Sequence, residues 1–336
     1  MDLRTKVIEL FRARPDWTIS QLAHQLDGPP NEITRELATL RQANQITRVG
    51  RDTWVAINIP AQDEEEDPAI PRNIIYLDWQ NVVQKLMYCH RLGINVLIIG
   101  PAGSGKTESC RKAAELLRKP LRIIPCSLRT REHHIIGRLD TDEKGLIYFK
   151  QGPLLTSMLE GGICCLDELN TAESDVLIRI DEALDHRHEL NIEDTTFRAK
   201  DGWFSCATIN PLDRYHLGTK PLPAQILSRF PVKLELKNPD ISMEYSIVKL
   251  HVPDIASKYA EMLEALTVIH QLRETDLPYL PSIRESIAIA KLLASGLKRD
   301  LCLRMTLIEI YSQWGSPAVQ QAKELIESRT GKLEEG

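Results

Sequence analysis

The 336-residue sequence has no apolar run near the roughly 18 residues a membrane-crossing helix needs, so no membrane partner is expected. Its opening, Met1-Asp-Leu-Arg-Thr-Lys6, is too charged for a signal peptide, and the chain is expected to stay in the cytoplasm that makes it. No CxxC pair occurs among the seven cysteines, Cys89, Cys110, Cys126, Cys164, Cys165, Cys206 and Cys302. Several lie in apolar, strand-like runs where a thiol serves as a small core residue, which implies a reducing compartment and no structural zinc. Neither charge sign dominates: 42 basic against 47 acidic residues give a net charge of −5, too little to draw the whole molecule onto nucleic acid. There is no internal repeat. What is present, 43% hydrophobic and 26% charged residues, is ordinary globular composition, and the length suggests two domains.

The chain divides by pattern. In residues 1–58, Leu3, Val7, Leu10 and Phe11 share one helical face, as do Ile19, Leu22, Ala23 and Leu26, and then Ile33, Leu37 and Leu40. Pro29 and Pro30 punctuate the turn before the third helix, with Asn31 as its expected cap. Ile46–Val49 and Thr53–Ile57 read as two strands joined across Gly50-Arg51-Asp52. This order resembles a winged helix. Residues 59–72, with three prolines and the acidic run Asp63–Asp67, read as a flexible linker. From Ile94 strands and helices alternate through residue 238, the signature of a parallel sheet with helices on both faces. Residues 239–330 read as an α-helical lid and 331–336 as a tail.

Gly100-Pro101-Ala102-Gly103-Ser104-Gly105-Lys106-Thr107 fits G-x-x-x-x-G-K-[ST], after an apolar strand and before a helical pattern. Glycines let successive N–H groups face phosphate oxygens at the positive end of the helix. Lys106 is expected to meet the β- and γ-phosphates of ATP, and the Thr107 hydroxyl to hold Mg²⁺. A second apolar strand, Gly161–Leu166, ends in Asp167-Glu168. Two acids at the carboxyl edge of a buried strand read as a Mg²⁺ partner, Asp167, and a group orienting the attacking water, Glu168. His133-His134 and His186-x-His188 have no supporting ligand cluster in the sequence and are read as solvent-facing or backbone-bonded imidazoles.

Together these motifs resemble an AAA+ ATPase, over roughly residues 73–325. Ile136-Gly-Arg-Leu139, Gly152-Pro-Leu-Leu155, Gly161-Gly-Ile-Cys-Cys-Leu-Asp-Glu-Leu-Asn170 and Leu184-Asp-His-Arg-His-Glu-Leu190 are similar to the MoxR branch and, within it, to the NirQ, NorQ and CbbQ type. The resemblance implies a P-loop α/β fold with a helical lid, assembly into a ring (a hexamer), and remodelling of a protein substrate with a von Willebrand A partner. It implies that Asn210 is the sensor 1 residue, that Arg229 is an arginine finger reaching a neighbouring subunit, and that Arg284 is sensor 2. Residues 129–151 and 189–199 resemble the family's two working hairpins. A guanidinium placed where charge builds during hydrolysis agrees with these arginine roles.

The winged-helix-like extension is not expected as a standard part of the NirQ type. Eight basic and seven acidic residues in 1–58 are a poor footprint for a phosphate backbone, although Arg41, Arg48 and Arg51 could form a basic edge. Two functions therefore stay open: a ring that remodels a protein recruited by this extension, and a DNA-directed ATPase that uses it on nucleic acid.

Overall fold

The computed structural model describes residues 3–14, 16–42, 46–49, 53–56, 67–141, 145–192, 194–212 and 218–333. The Gly50-Arg51-Asp52 turn, residues 59–66 of the expected linker and the last three residues of the tail lie outside them. Contacts divide the chain into two compact units, Met1–Ile74 with Arg111–Leu121, and Ile75–Cys110 with Arg122–Gly336.

The first unit holds α1 (Leu3–Ala13), β1 (Asp16–Thr18), α2 (Ile19–Leu26), α3 (Pro30–Gln42), β2 (Ile46–Val49) and β3 (Thr53–Ala56). The three apolar faces read from the sequence meet in one core of Val7, Phe11, Leu22, Ile33, Leu37 and Leu40, closed by Ile46 and Trp54. A three-residue strand escapes any periodicity argument, yet β1 pairs with β3 to give an antiparallel sheet ordered β1-β3-β2. Thr18 ends that strand and caps α2: its Oγ1 accepts from the Gln21 N–H at 3.2 Å while Gln21 Oε1 accepts from the Thr18 N–H at 3.0 Å. Asn31 is not the cap of α3. The helix begins at Pro30, whose fixed φ suits a first turn, and the Pro29 carbonyl accepts from Glu32 and Ile33. Residues 67–72, expected as linker, are tied down locally: Asp67 Oδ1 accepts from the Ala69 N–H at 2.8 Å and the Ala69 carbonyl accepts from Leu121 at 2.9 Å.

From residue 96 on, β4 (Val96–Ile99), β5 (Leu121–Pro125), β8 (Ile163–Asp167), β11 (Phe204–Ile209) and β12 (Val232–Glu235) build a parallel sheet ordered β12-β4-β11-β8-β5. Strand β4 lies between β11 and β12, so the chain departs from it in both directions, which is where open α/β sheets place their ligands. One sheet face packs Leu97, Cys164, Leu166 and Ala207 against Leu154, Met158, Val176 and Ile180 from α7 (Pro153–Glu160) and α8 (Ser174–Leu184). Hairpins β6–β7 (Gly137–Thr141, Ile147–Gln151) and β9–β10 (Glu189–Ile192, Thr195–Arg198) stand where the two insertions were read. The first hairpin exposes Leu139, Leu146, Ile147 and Tyr148.

After Leu236 the described residues contain helices and no strand, as the sequence implied. Helices α10 (Ile241–His251), α11 (Tyr259–Arg273), α12 (Ile283–Ala294), α13 (Arg299–Leu303) and α14 (Ser316–Thr330) enclose a separate core that includes Leu266, Ile269, Leu293, Leu307 and Tyr311. Glu244 of α10 is fully buried there and satisfied throughout. It accepts from Arg273 at 2.6 and 2.8 Å, from Ser286 at 2.5 Å, and pairs with His270 at 2.8 Å. Burial alone would raise its pKa, but donors from His270, Arg273 and Ser286 outweigh it and hold the carboxyl at about 2.

Candidate functional site

Register brings the site together. Ile209 pairs with Ile99 and Ala207 with Leu166, so Gly100, Asn210 and Asp167 emerge at one edge of the sheet. The loop after β4 runs directly into α5 (Lys106–Leu117). Gly103 and Gly105 take φ of +71° and +86°, and an added Cβ would meet Ser282 at 2.6 Å and the Tyr76 ring at 3.0 Å. At Gly100 the obstacle would be the Leu236 carbonyl at 2.9 Å. Bare backbone is thus required along a loop that also carries Pro101, Ala102 and the buried Ser104, whose hydroxyl has no hydrogen-bond partner. A curled, glycine-rich run of backbone at a helix N-terminus suits an anion.

Lys106 is 7% exposed. Its ammonium donates to the Gly100 and Pro101 carbonyls and to Asn210 Oδ1, each at 2.8 Å. Desolvation lowers its pKa to about 8, with Asp167 and Glu168 opposing the shift and Arg284 adding to it. Three neutral acceptors hold this cation, and none of them is an ion. Next to it the Thr107 hydroxyl donates to Asp167 Oδ1 at 2.8 Å, and Thr208 donates to the same oxygen at 2.6 Å. Glu168 follows with φ of +55°, a left-handed conformation rare for a non-glycine residue. Its N–H is held by Thr208 Oγ1 at 3.0 Å and its carboxylate accepts from Asn210 Nδ2 at 3.2 Å. Neither acid caps α8, whose N-cap is Glu173. Asn170 Nδ2 fixes the Asn210 carbonyl at 2.9 Å.

The two arginines differ in setting. Arg284, in the first turn of α12, is exposed, and its Cγ lies 3.8 Å from where a Gly103 Cβ would sit. Its neighbour Ser282 caps α12 in a reciprocal box with Glu285. Arg229 sits just past α9 (Ala224–Ser228) and is held in its own chain: Nε donates to Asp181 Oδ1 at 2.7 Å and a terminal nitrogen meets Asp185 at 3.2 Å. The hydrogen bond from Arg229 pulls the Asp181 pKa down. Lys106, Thr107, Asp167, Glu168, Asn210 and, through its helix end, Arg284 therefore converge, and Arg229 stands apart on Asp181 of α8 and Asp185 just past its end.

The comparison with known proteins settles the family. Residues 95–230 match the AAA domain of the dynein-related subfamily. The chain is 32% identical over 215 residues to the denitrification regulatory protein NirQ of Stutzerimonas stutzeri, covering 63% of this chain and 76% of that one. To NirQ of Pseudomonas aeruginosa it is 31% identical over 227 residues, covering 65% and 84%. The chain is a MoxR-type AAA+ ATPase. NtrX of Brucella abortus, solved with ADP, is similar over 74% of this chain and 60% of that one, with 13% identity and a TM-score of 0.49.

For this AAA+ ATPase, sequence reasoning missed three supports of the site. Thr208 buttresses both Asp167 and the Glu168 backbone; its alternation with Cys206 along an apolar strand was the available signal. Tyr76, whose ring underlies Gly105, has its hydroxyl pushed far up in pKa by burial, and nothing in a lone tyrosine distant in sequence announces that. Asn170 was quoted only as part of a motif. The histidines are as expected: His134 Nδ1 accepts from the Arg131 N–H at 3.1 Å, and His186 meets Asp185 at 2.7 Å with an exposed ring.

Proposed function

We propose that this ATPase assembles into a ring, hydrolyses ATP at subunit interfaces, and uses the cycle to remodel a partner protein recruited by residues 1–58. The carrying observation is the buried cation of Lys106, bonded to two carbonyls and the Asn210 amide beside the glycine loop, with Asp167 and Glu168 near enough to oppose its desolvation. A triphosphate would bring to this ammonium the oxygens of its β- and γ-phosphates. Thr107, whose hydroxyl donates to Asp167 Oδ1 at 2.8 Å, and Asp167 would hold Mg²⁺, which neutralises charge on the phosphate oxygens during transfer. Glu168 is exposed at the mouth and aimed by Asn210 and Thr208, which suits a group that orients water. Asn210 also touches Lys106, and so links the cation to Glu168 as a sensor must. Arg284 serves the same subunit from the lid.

Arg229 acts in a neighbouring subunit in this reading, exchanging Asp181 and Asp185 for a γ-phosphate when rings form. The division into residues 1–58, linker 59–72, ATPase domain 73–238, lid 239–330 and tail 331–336 belongs to the same proposal. The topology of α1 to β3 supports a winged helix used as a protein-docking module. Glu32 and Glu36 stand beside Arg35 on α3, the helix that would enter a DNA groove, and acid there opposes phosphate. The test is a pull-down with Glu168→Gln in ATP. A ring retaining a protein is expected; retention of duplex DNA instead, or a monomer at every nucleotide state, would overturn the reading.

A further inference from the structure

One rung below the oxygen cluster of Thr107, Asp167 and Thr208 lies a cluster of sulfur. Strands present alternate residues to the same face, so Cys165 shares the face of Asp167, and Cys206 that of Thr208. On α5, Cys110 follows Thr107 by one helical turn and faces the same strands. Register pairs Cys206 with Cys165 across β11 and β8, and the Cys206 and Cys110 sulfurs are 3.3 Å apart. All three sulfurs lie within 4.8 Å of one another, the only such group of metal-ligating side chains among the described residues. Their exposures are 1%, 0% and 1%. The other four cysteines are buried as well but do not converge, so small-residue packing accounts for them and leaves the convergence of three unexplained.

We propose that Cys110, Cys165 and Cys206 form a three-sulfur site for a soft monovalent cation, Cu(I). Sulfur-only donors select soft ions. Zinc in a closed site takes four ligands, and no carboxylate or imidazole joins this group among the described residues. Hard Mg²⁺ prefers the oxygens of the rung above, so the two layers would sort hard from soft. On binding, sulfurs that bond the ion release their protons to water, and no electron is transferred. The bound ion ties α5 to β8 and β11 directly under the phosphate site, and the site does not depend on what the ATPase remodels.

The full chain, reduced without added thiol and kept anaerobic, is titrated with Cu(I) held by a chromogenic chelator. About one ion per chain should be withdrawn from the chelator, and X-ray absorption of the unaltered protein should count three sulfur neighbours. Cys165→Ser and Cys206→Ser should each weaken retention by more than the roughly 10–100-fold that loss of an outer-shell partner costs a metal site. Cys302→Ser, in the lid, should leave it unchanged. Because a buried hydroxyl can disturb the sheet, the sulfur count on the unaltered chain decides independently of the variants. No copper held against the chelator, nitrogen neighbours such as His133 and His134, or retention unaffected by Cys206→Ser would overturn the proposal. Equal retention of Zn(II) would overturn the choice of ion.

Discussion

Two buried charges in the same unit, Lys106 and Glu244, teach opposite lessons. Glu244 has an ionised partner in Arg273, with His270 and Ser286 completing its acceptor capacity. Its charge is answered inside the protein, and the cluster knits α10, α11 and α12 together. Lys106 is nearly as inaccessible, yet its three partners are two carbonyls and an amide. The fold solvates that cation with dipoles at hydrogen-bond distance, and the Asp167 and Glu168 carboxylates act on it only through space. The buried charge bonded to an opposite charge serves structure here, and the one bonded only to neutral groups is the one proposed to meet a ligand.

The comparison breaks most sharply by deletion. Lys106→Ala should abolish tight nucleotide binding while leaving the thermal midpoint nearly unchanged, measured by fluorescent-nucleotide titration and calorimetry on one preparation. A large loss of stability would mean that Lys106 is structural after all. Arg229 tests the intermediate case, an arginine answered by carboxylates yet proposed to leave them. Arg229→Ala should keep nucleotide and lose turnover by about 10³-fold or more, with activity returning when it is mixed with Lys106→Ala subunits that lend their own Arg229. Failure to recover, with subunit mixing proven, would assign Arg229 to its Asp181 pair alone.

Glu244→Ala should cost about 3–5 kcal/mol by leaving Arg273 buried without its partner, read from denaturant unfolding, while nucleotide contacts of the P-loop persist in whatever fraction remains folded. Smaller effects come from pH. The Lys106 pKa, near 8, lies below its unfolded value, so raising the pH from 8 toward 10.5 favours the folded, nucleotide-free state. In the proposed site the charged form is the one that meets phosphate, and nucleotide affinity should fall over that range by up to about tenfold per pH unit. Glu244 has the opposite window. Its folded pKa is below the unfolded value of 4.5, so its stabilisation is present above that pH and is lost as pH falls toward 2. Glu244→Gln should flatten acid unfolding there. Calorimetric titration in buffers of differing ionisation enthalpy reads proton uptake at Lys106 and is blind to Glu244.

How much of this was legible depends on how local each feature is. The P-loop, the apolar strand ending in Asp167-Glu168 and the lid were readable because their signals are contiguous, and strand-to-helix context made them specific. Asn210 and Arg284 came only through resemblance, since a lone polar residue has no periodicity. Strand β1 was too short to carry a pattern. Thr208, Tyr76 and the meeting of three cysteines depend on strand register and crossover order, which a sequence does not print. Helix α3 starts at Pro30, whose fixed φ suits the first helical position, so Asn31 falls inside the first turn and not at its cap. The Asp181 and Asp185 partners of Arg229 were invisible for the same reason as the cysteines.

Glu168 keeps a backbone that its own side chain disfavours, at a cost of roughly 1–2 kcal/mol for a left-handed residue with a Cβ. A glycine there would relax the turn after β8 and stabilise the folded chain. Any search that ranks variants by heat resistance should therefore return Glu168→Gly among its winners, and on the role proposed for Glu168 that variant would be sturdy and inert.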